Sequence, residues 1–232
     1  MRERIFHRVS LAAVILVATM PLFSFQAQAV SSSDATGGLK EALTQGATNA
    51  VAKLGKADGF LKNRKVKIPL PDSLKKMEGL LHSIGMGRQA DDLVVAMNRA
   101  AEAAVPEAKT LLHDAVRQMT VEDALTILKG GKTSATDYFR KKTEPDLTAR
   151  FLPVVKKSTS KVALAEKYDA IAGRASGFGV VDKQDANIEE YVTRKALDGL
   201  YRIIGEEETA IRRNPLGQTS SLLRQVFGSL KR

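Results

Sequence analysis

The chain has 232 residues, a formal net charge of +10 at pH 7 and no cysteine. The absence of cysteine excludes disulfide bonds, thiolate nucleophiles and thiolate metal ligands. So basic a chain favours anionic partners, such as lipid head groups, cell-wall polymers or nucleic acid, but net charge alone does not choose among them.

The first 29 residues have the pattern of a secretory signal peptide. Three arginines within the first eight residues precede an almost wholly apolar run at 9–25, and Ala27-Gln28-Ala29 offers the small side chains that a signal peptidase accepts. The alternative is an uncleaved membrane anchor. That run is shorter than the roughly 20 apolar residues of a spanning helix, and Pro21 interrupts it. We therefore predict cleavage after Ala29 and a periplasmic location.

Small polar residues occupy positions 30–38, and this composition predicts a flexible linker. From residue 39 onward, apolar side chains recur at helical spacing, and no alternating strand pattern extends beyond a few residues. We expect an all-α fold, a single-domain multi-helix bundle at 39–232, which is long enough to bury a sizeable core.

Capping residues, prolines and glycines mark where the predicted helices begin and end. They predict helices near 39–55, 72–85, 88–104, 106–119 and 120–130, and another that begins at Ser134. Thr120 and Asp123 have the spacing of a capping box, and Gly85 suits a left-handed helix exit.

The second half of the chain has three further helical patterns. We expect residues 145–174 to form two helices, or one helix kinked at Pro153. A helix from Asn187 to about Arg213 is apolar around much of its circumference, so we expect it to be the longest and the central one. An amphipathic segment at 219–232 either docks on the core or lies on a membrane surface.

The strongest charge feature lies between the first two helices. Residues 53–76 contain eight basic and two acidic residues, and the prolines in Ile68-Pro69-Leu70-Pro71 favour an extended backbone there. We interpret the irregular part of this stretch, residues 55–71, as a basic strap and predict that this strap binds anions through Lys62, Arg64, Lys65 and Lys67. Phe60 is its only aromatic residue, so the stacking platform of a single-strand nucleic-acid binder is missing.

A second candidate site is the polar group Asn98, Arg99 and Glu102, which lies among alanines. Asn98 and Glu102 share a helix face, and Arg99 and Glu102 are an i,i+3 pair. One interpretation is an internal clasp that fixes how helices pack, because buried polar groups need partners. The other is the polar floor of a ligand pocket, with an apolar small molecule above it.

No pattern specifies a reaction, so we expect no enzyme, no metal site and no cofactor. Gly131-Lys132-Thr133 lacks the earlier glycine and the strand of a phosphate-binding loop, and His82 and His113 have no second ligand three or four residues after them. The acidic runs, including 206–208, are interpreted as solvated faces and helix caps. A hydrolase that uses two of these carboxylates is a further alternative.

Several long strings resemble a bacterial family of unknown function, DUF4197. They are Ile68-Pro69-Leu70-Pro71, Asn98-Arg99-Ala100-Ala101-Glu102-Ala103-Ala104-Val105-Pro106-Glu107-Ala108, Gln118-Met119-Thr120-Val121-Glu122-Asp123-Ala124 and Lys195-Ala196-Leu197-Asp198-Gly199-Leu200. The resemblance covers roughly 39–227 and implies an exported helical protein of a Gram-negative bacterium. It brings no reaction, substrate or catalytic residue.

Together these patterns favour a non-catalytic periplasmic protein that binds an anionic envelope component, a lipid head group or a cell-wall polymer, through the strap. The alternative is a carrier of an apolar small molecule. No sequence-specific nucleic-acid binding is expected.

Overall fold

The computed structural model describes residues 32–76, 78–83, 85–161 and 187–213, together with residues 163, 166 and 168. The predicted signal peptide and the C-terminal amphipathic segment lie outside the described residues, as does most of 162–186.

The described residues form helices and no strand, which confirms the predicted all-α fold. A single 3₁₀ turn, Val105–Glu107, lies between the fourth and fifth helices. The helices are α1 (Ser32–Leu54), α2 (Asp72–Lys75), α3 (Glu78–Ser83), α4 (Gly87–Ala104), α5 (Ala108–Arg117), α6 (Val121–Lys129), α7 (Ser134–Ser160) and α8 (Ile188–Arg213).

Helix α1 begins earlier than its apolar pattern predicts. It starts at Ser32, so most of the expected linker at 30–38 is helical, and that expectation was wrong. Thr36 and Leu39 are buried, and α1 packs against α5, α6 and α8. Tertiary packing therefore outweighs the weak helix propensity of the serines and glycines.

Helix α7 continues through two prolines and, at 27 residues, is one residue longer than α8. The prediction of two separate helices on either side of Pro153 was therefore wrong, as was the prediction that α8 is the longest helix. Pro145 and Pro153 lie on the exposed side of α7. The carbonyls that each proline deprives of a donor belong to Lys141 and Ala149, which are also exposed, so solvent can bond to them.

Helix α8 is central, as predicted. It packs against α1, α4 and α7 and buries apolar side chains on several sides, among them Val192, Leu200 and Ile204. One continuous apolar core joins these helices.

The local boundary signals also hold. Thr120 and Asp123 form the predicted capping box on α6. Gly85 has a φ of 79° after α3, the left-handed conformation that glycine adopts without steric cost.

Candidate functional site

The basic strap is the segment of residues 55–71 that joins α1 to α2. It begins as a series of turns and ends extended at 67–71. Val66, Ile68 and Leu70 are buried, whereas Lys65, Lys67 and Pro69 are exposed. Lys65 and Val66 still lie in a turn; from Lys67 onward the alternation of an extended chain directs Ile68 and Leu70 to the core and the Lys67 ammonium group to solvent.

Asn98 on α4 holds the extended end of the strap. Its Oδ1 accepts the Ile68 amide at 2.8 Å, and its Nδ2 donates to the Ile68 carbonyl at 2.8 Å. Nδ2 also donates to the Val94 carbonyl at 2.7 Å. The buried side chain therefore satisfies both backbone groups of Ile68 in the way that a neighbouring strand would.

Glu102, one turn later on α4, holds the first half of the strap. Its Oε1 accepts the amides of Phe60 and Leu61 at 3.0 and 3.1 Å. Its Oε2 accepts from Arg99 at 2.6 Å, and Arg99 also donates to Asp58 at 2.7 Å. A carboxylate that is only 5% exposed therefore has partners on both oxygens, as a buried charge requires.

Asp58 completes this network at the surface. It has a φ of 67°, and hydrogen bonds from Lys62 and then from Arg99 hold the pKa of its carboxyl below the ordinary value. The bonds from Arg99 to Glu102 and then to Asp58 raise the pKa of the guanidinium. The three residues Asn98, Arg99 and Glu102, which we call the polar clasp, thus bond to the strap itself.

Helix α8 supports the strap from another side. The Tyr191 hydroxyl donates to the Pro69 carbonyl at 3.1 Å. A Cβ on Gly199 would lie 2.7 Å from Cε1 of Phe60 and 3.3 Å from Cβ of Val66. The missing side chain at Gly199 lets the strap lie directly on the helix backbone.

Three basic clefts surround the strap, and every cation predicted to bind anions lines at least one of them. The strap–α1 cleft, about 460 Å³, contains Lys53, Lys56, Lys62, Arg64 and Lys65. The strap–α4 cleft, about 370 Å³, contains Arg64, Lys67 and Lys75. The strap–α8 cleft, about 180 Å³, contains Lys65, Lys67, Lys195 and Arg202. Because Arg64, Lys65 and Lys67 each line two clefts, the three form one continuous basic surface.

Some of these cations are neutralised within the chain. Lys53 pairs with Glu207, Lys62 with Asp58 at 2.7 Å, and Lys65 with Glu206 at 2.9 Å. The described residues contain no ion pair for the six others, which are Lys56, Arg64, Lys67, Lys75, Lys195 and Arg202. These six supply charge that an anionic ligand can use.

The prediction of anion-binding residues from the sequence did not include Lys195 and Arg202, because they lie far from the strap along the chain. A signal was present: Lys195, Asp198, Gly199 and Arg202 have the i, i+3, i+4, i+7 spacing of one helix face. A glycine at the centre of such a polar stripe is typical of a place where another segment approaches the helix closely.

The acidic run at 206–208 divides into two roles. Glu206 and Glu207 pair with strap-side lysines, as above, whereas Glu208 is 4% exposed and caps α7. Its carboxylate accepts the amides of Ala135 and Thr136 at 3.0 and 2.9 Å and pairs with Arg212. The expectation of a solvated face was therefore wrong for Glu208, because α7 begins beside it.

The other residues considered for chemistry are dispersed. His82 is exposed on α3, and His113 on α5 contacts Thr48 Oγ1 at 3.0 Å. Burial, with Lys109 and Arg117 nearby, lowers the pKa of His113. Within the described segments, no three of the His, Asp and Glu side chains lie together as metal ligands. Asp91 and Glu78 both line the strap–α4 cleft.

An open, more apolar cleft of about 390 Å³ lies between α7 and α8 and includes Leu152 and Leu197. None of the polar clasp residues lines it. Across the helices that the structure describes, none has the length and apolarity that a bilayer crossing requires.

Comparison with known proteins adds a family. A search of curated proteins and a search of solved structures each found no match. The model of the family described as "Protein of unknown function (DUF4197)" matches residues 29–228. That span covers most of the chain, and it contains the strap, the polar clasp and the polar stripe of α8 at 195–202, which we call the α8 stripe. The chain therefore belongs to the DUF4197 family.

Proposed function

We propose that this protein is a non-catalytic binding protein of the periplasm, and that it engages an anionic component of the cell envelope through the basic strap. The observation that carries the proposal is the way in which the strap is held. Buried side chains of α4 bond to its backbone at Phe60, Leu61 and Ile68, while Lys62, Arg64, Lys65 and Lys67 remain exposed.

A strap held in this way lowers the cost of binding. A flexible basic loop loses conformational entropy when it docks on an anionic surface, whereas a preformed one has already lost it. Each cation near an anionic surface contributes about 1 kcal/mol, and salt screens this attraction. The strap therefore has the properties of a preorganised electrostatic contact.

The binding is expected to be superficial. The two large apolar side chains that are exposed among the described residues, Val95 and Val121, lie on α4 and α6 and not in the strap. In the strap, Phe60, Val66, Ile68 and Leu70 are buried and Leu61 is half-buried, so binding should depend on charge and fall steeply with added salt.

Sedimentation with vesicles tests the proposal. We expect the protein to pellet with phosphatidylglycerol vesicles at low salt, to release at high salt, and to ignore phosphatidylcholine. Purified cell-wall peptidoglycan forms a second arm, which separates a lipid from a polymer partner. Binding that is indifferent to both ligand charge and salt would contradict the proposal.

A pair of charge-matched variants separates the strap from overall charge. The strap variant replaces Lys62, Arg64, Lys65 and Lys67 with Gln, and the control replaces the exposed Lys129, Lys132, Lys156 and Lys157 with Gln. Both lose four positive charges. We expect at least a tenfold loss of binding in the strap variant and less than a twofold loss in the control. Equal losses would assign binding to net charge.

The periplasmic location rests on the N-terminal pattern and has its own test. Intact-mass measurement of protein released by osmotic shock should give a chain that begins at Val30. Recovery of the full precursor from the cytosol would contradict export.

A further inference from the structure

We infer that the strap–α8 cleft is a binding site for a phosphate group, with Lys67, Lys195 and Arg202 as the residues that contact it. This inference rests on the proposed function and names the anionic group that the basic surface recognises. The cleft is the smallest of the three, at about 180 Å³, and it is lined from two separate elements.

The elements that form the cleft fix the positions of its cations. Helix α8 supplies Lys195 and Arg202 from one face, seven residues apart, with Asp198 and Gly199 between them. The strap supplies Lys65 and Lys67 from its exposed side. Because Gly199 has no side chain, Val66 and Phe60 lie against the helix, and the strap lysines reach the α8 stripe.

The charges in the cleft are unequally neutralised. Asp198 accepts from Arg140 at 3.3 Å, and Lys65 pairs with Glu206. Lys67, Lys195 and Arg202 have no ion pair in the described part of the chain, although the Lys195 ammonium lies 5.7 Å from the centre of the Tyr191 ring. Three cations therefore face one small concave space with no full anionic partner.

Phosphate is the anion that best fits these groups. A guanidinium offers two parallel donors to two oxygens of one phosphate, and ammonium groups add point charges around it. A phosphate monoester carries nearly two negative charges, so it neutralises more of the cleft than a carboxylate does. The described lining residues include no aromatic ring, so the cleft offers no platform for stacking a nucleic-acid base.

Titration with inorganic phosphate at constant ionic strength, followed by calorimetry and by amide chemical shifts, tests the site. We expect saturable binding, with the shifts concentrated at 65–69 and 195–202. Arg202→Gln and Lys195→Gln should each weaken binding at least fivefold. Arg202→Lys should retain part of it, because the charge remains and the two-pronged geometry is lost.

The control variants are Lys132→Gln and Lys156→Gln. Both remove an exposed cation, and neither residue lines any of the three clefts around the strap. They should change phosphate affinity less than twofold. Equal weakening by controls and site variants would overturn the inference, as would the absence of saturable binding. Circular dichroism of each variant confirms that it is folded.

Vesicles distinguish free phosphate from a lipid head group and separate this inference from the proposed function. If a lipid monoester is the source, phosphatidic acid should bind more tightly than phosphatidylglycerol, and Arg202→Gln should abolish the difference. If inorganic phosphate binds but vesicles and peptidoglycan do not, the site stands and the envelope role fails. If vesicles bind through the strap but phosphate shows no saturable binding, the envelope role stands and this inference fails.

Discussion

The side-chain amide of Asn98 pairs with the backbone of Ile68 through two opposed hydrogen bonds, both 2.8 Å long. Asn98 is fully buried, and Ile68 is 1% exposed. One side chain of α4 thus replaces the strand partner that an extended segment in an all-α protein lacks.

Replacing Asn98 with alanine should therefore destabilise the protein and loosen the strap. Both backbone groups of Ile68 would be left buried without a partner, at a cost of about 2–4 kcal/mol in the free energy of unfolding. Urea denaturation measures the loss, and amide exchange at Ile68 should accelerate in the variant. Asn49→Ala is the control, because Asn49 is half-buried and bonds to the side chains of Gln45 and Glu207. A similar loss in both variants would contradict the role assigned to Asn98.

Two of the adjacent glutamates on α8, Glu206 and Glu208, should differ sharply in their effect on stability. Glu208→Ala leaves two backbone amides at the start of α7 without their acceptor and removes the carboxylate that pairs with Arg212, which should cost about 3–5 kcal/mol. Glu206→Ala removes an exposed ion pair with Lys65 and should cost less than about 1 kcal/mol. Thermal and urea unfolding of both variants make the comparison. An equal effect would mean that Glu208 does not fix the start of α7.

Replacing either of two glycines on α8 with alanine should change the free energy of unfolding differently. A Cβ at Gly199 would overlap Phe60, so Gly199→Ala should destabilise the protein by about 1–3 kcal/mol. At Gly205 the nearest atom is Thr136 Oγ1 at 3.4 Å, and alanine there should be neutral or stabilising by up to about 1 kcal/mol. The denaturant midpoint of Gly199→Ala should therefore lie below that of the wild type, whereas the midpoint of Gly205→Ala should equal or exceed it. Destabilisation of equal size in both would contradict the close approach of the strap to Gly199.

Tyr201 should make stability depend on pH in the alkaline range. Burial raises its pKa to about 12, and its hydroxyl lies 2.9 Å from Thr143 Oγ1. An unfolded tyrosine ionises near pH 10, so the stabilisation is complete below pH 10 and is lost as the pH rises toward about 12.

The Tyr201→Phe variant isolates this effect, since the other tyrosines remain in both proteins. At pH 9 the variant should be about 1 kcal/mol less stable, because one buried hydrogen bond is lost. At pH 11 the difference should shrink or change sign. Urea unfolding at the two pH values measures it, and a constant difference would mean that Tyr201 ionises at its ordinary pKa in the folded protein.

The features that the sequence predicted correctly depend on near neighbours. Thr120 and Asp123 are three residues apart and form the capping box by themselves, and the apolar spacing of α8 alone indicates its burial. The alanines around Asn98 and Glu102 indicate close packing, so a buried polar group on α4 was also predictable. The partners of these side chains were not predictable, because Ile68 lies 30 residues from Asn98 in the chain and Phe60 lies 42 residues from Glu102.

The errors have the same origin in distant contacts. Residues 32–38 have the composition of a linker, yet they are helical, because α1 packs against α5, α6 and α8 and Thr36 is buried. Glu208 resembles its two neighbours in the sequence, and only the position of Ala135 distinguishes it. The contribution of Lys195 and Arg202 to the basic surface likewise depends on the packing of the strap at Gly199.

Asn98 and Glu102 hydrogen-bond to main-chain atoms of the strap. The backbone conformation of residues 60–68 therefore does not depend on which side chains point to solvent. Mutation can therefore add, remove or reverse charge at Lys62, Arg64 or Lys65 while the loop keeps its shape. In evolutionary terms, selection can retune what this surface prefers without rebuilding the scaffold beneath it, and an engineer could graft a different recognition sequence at the same place.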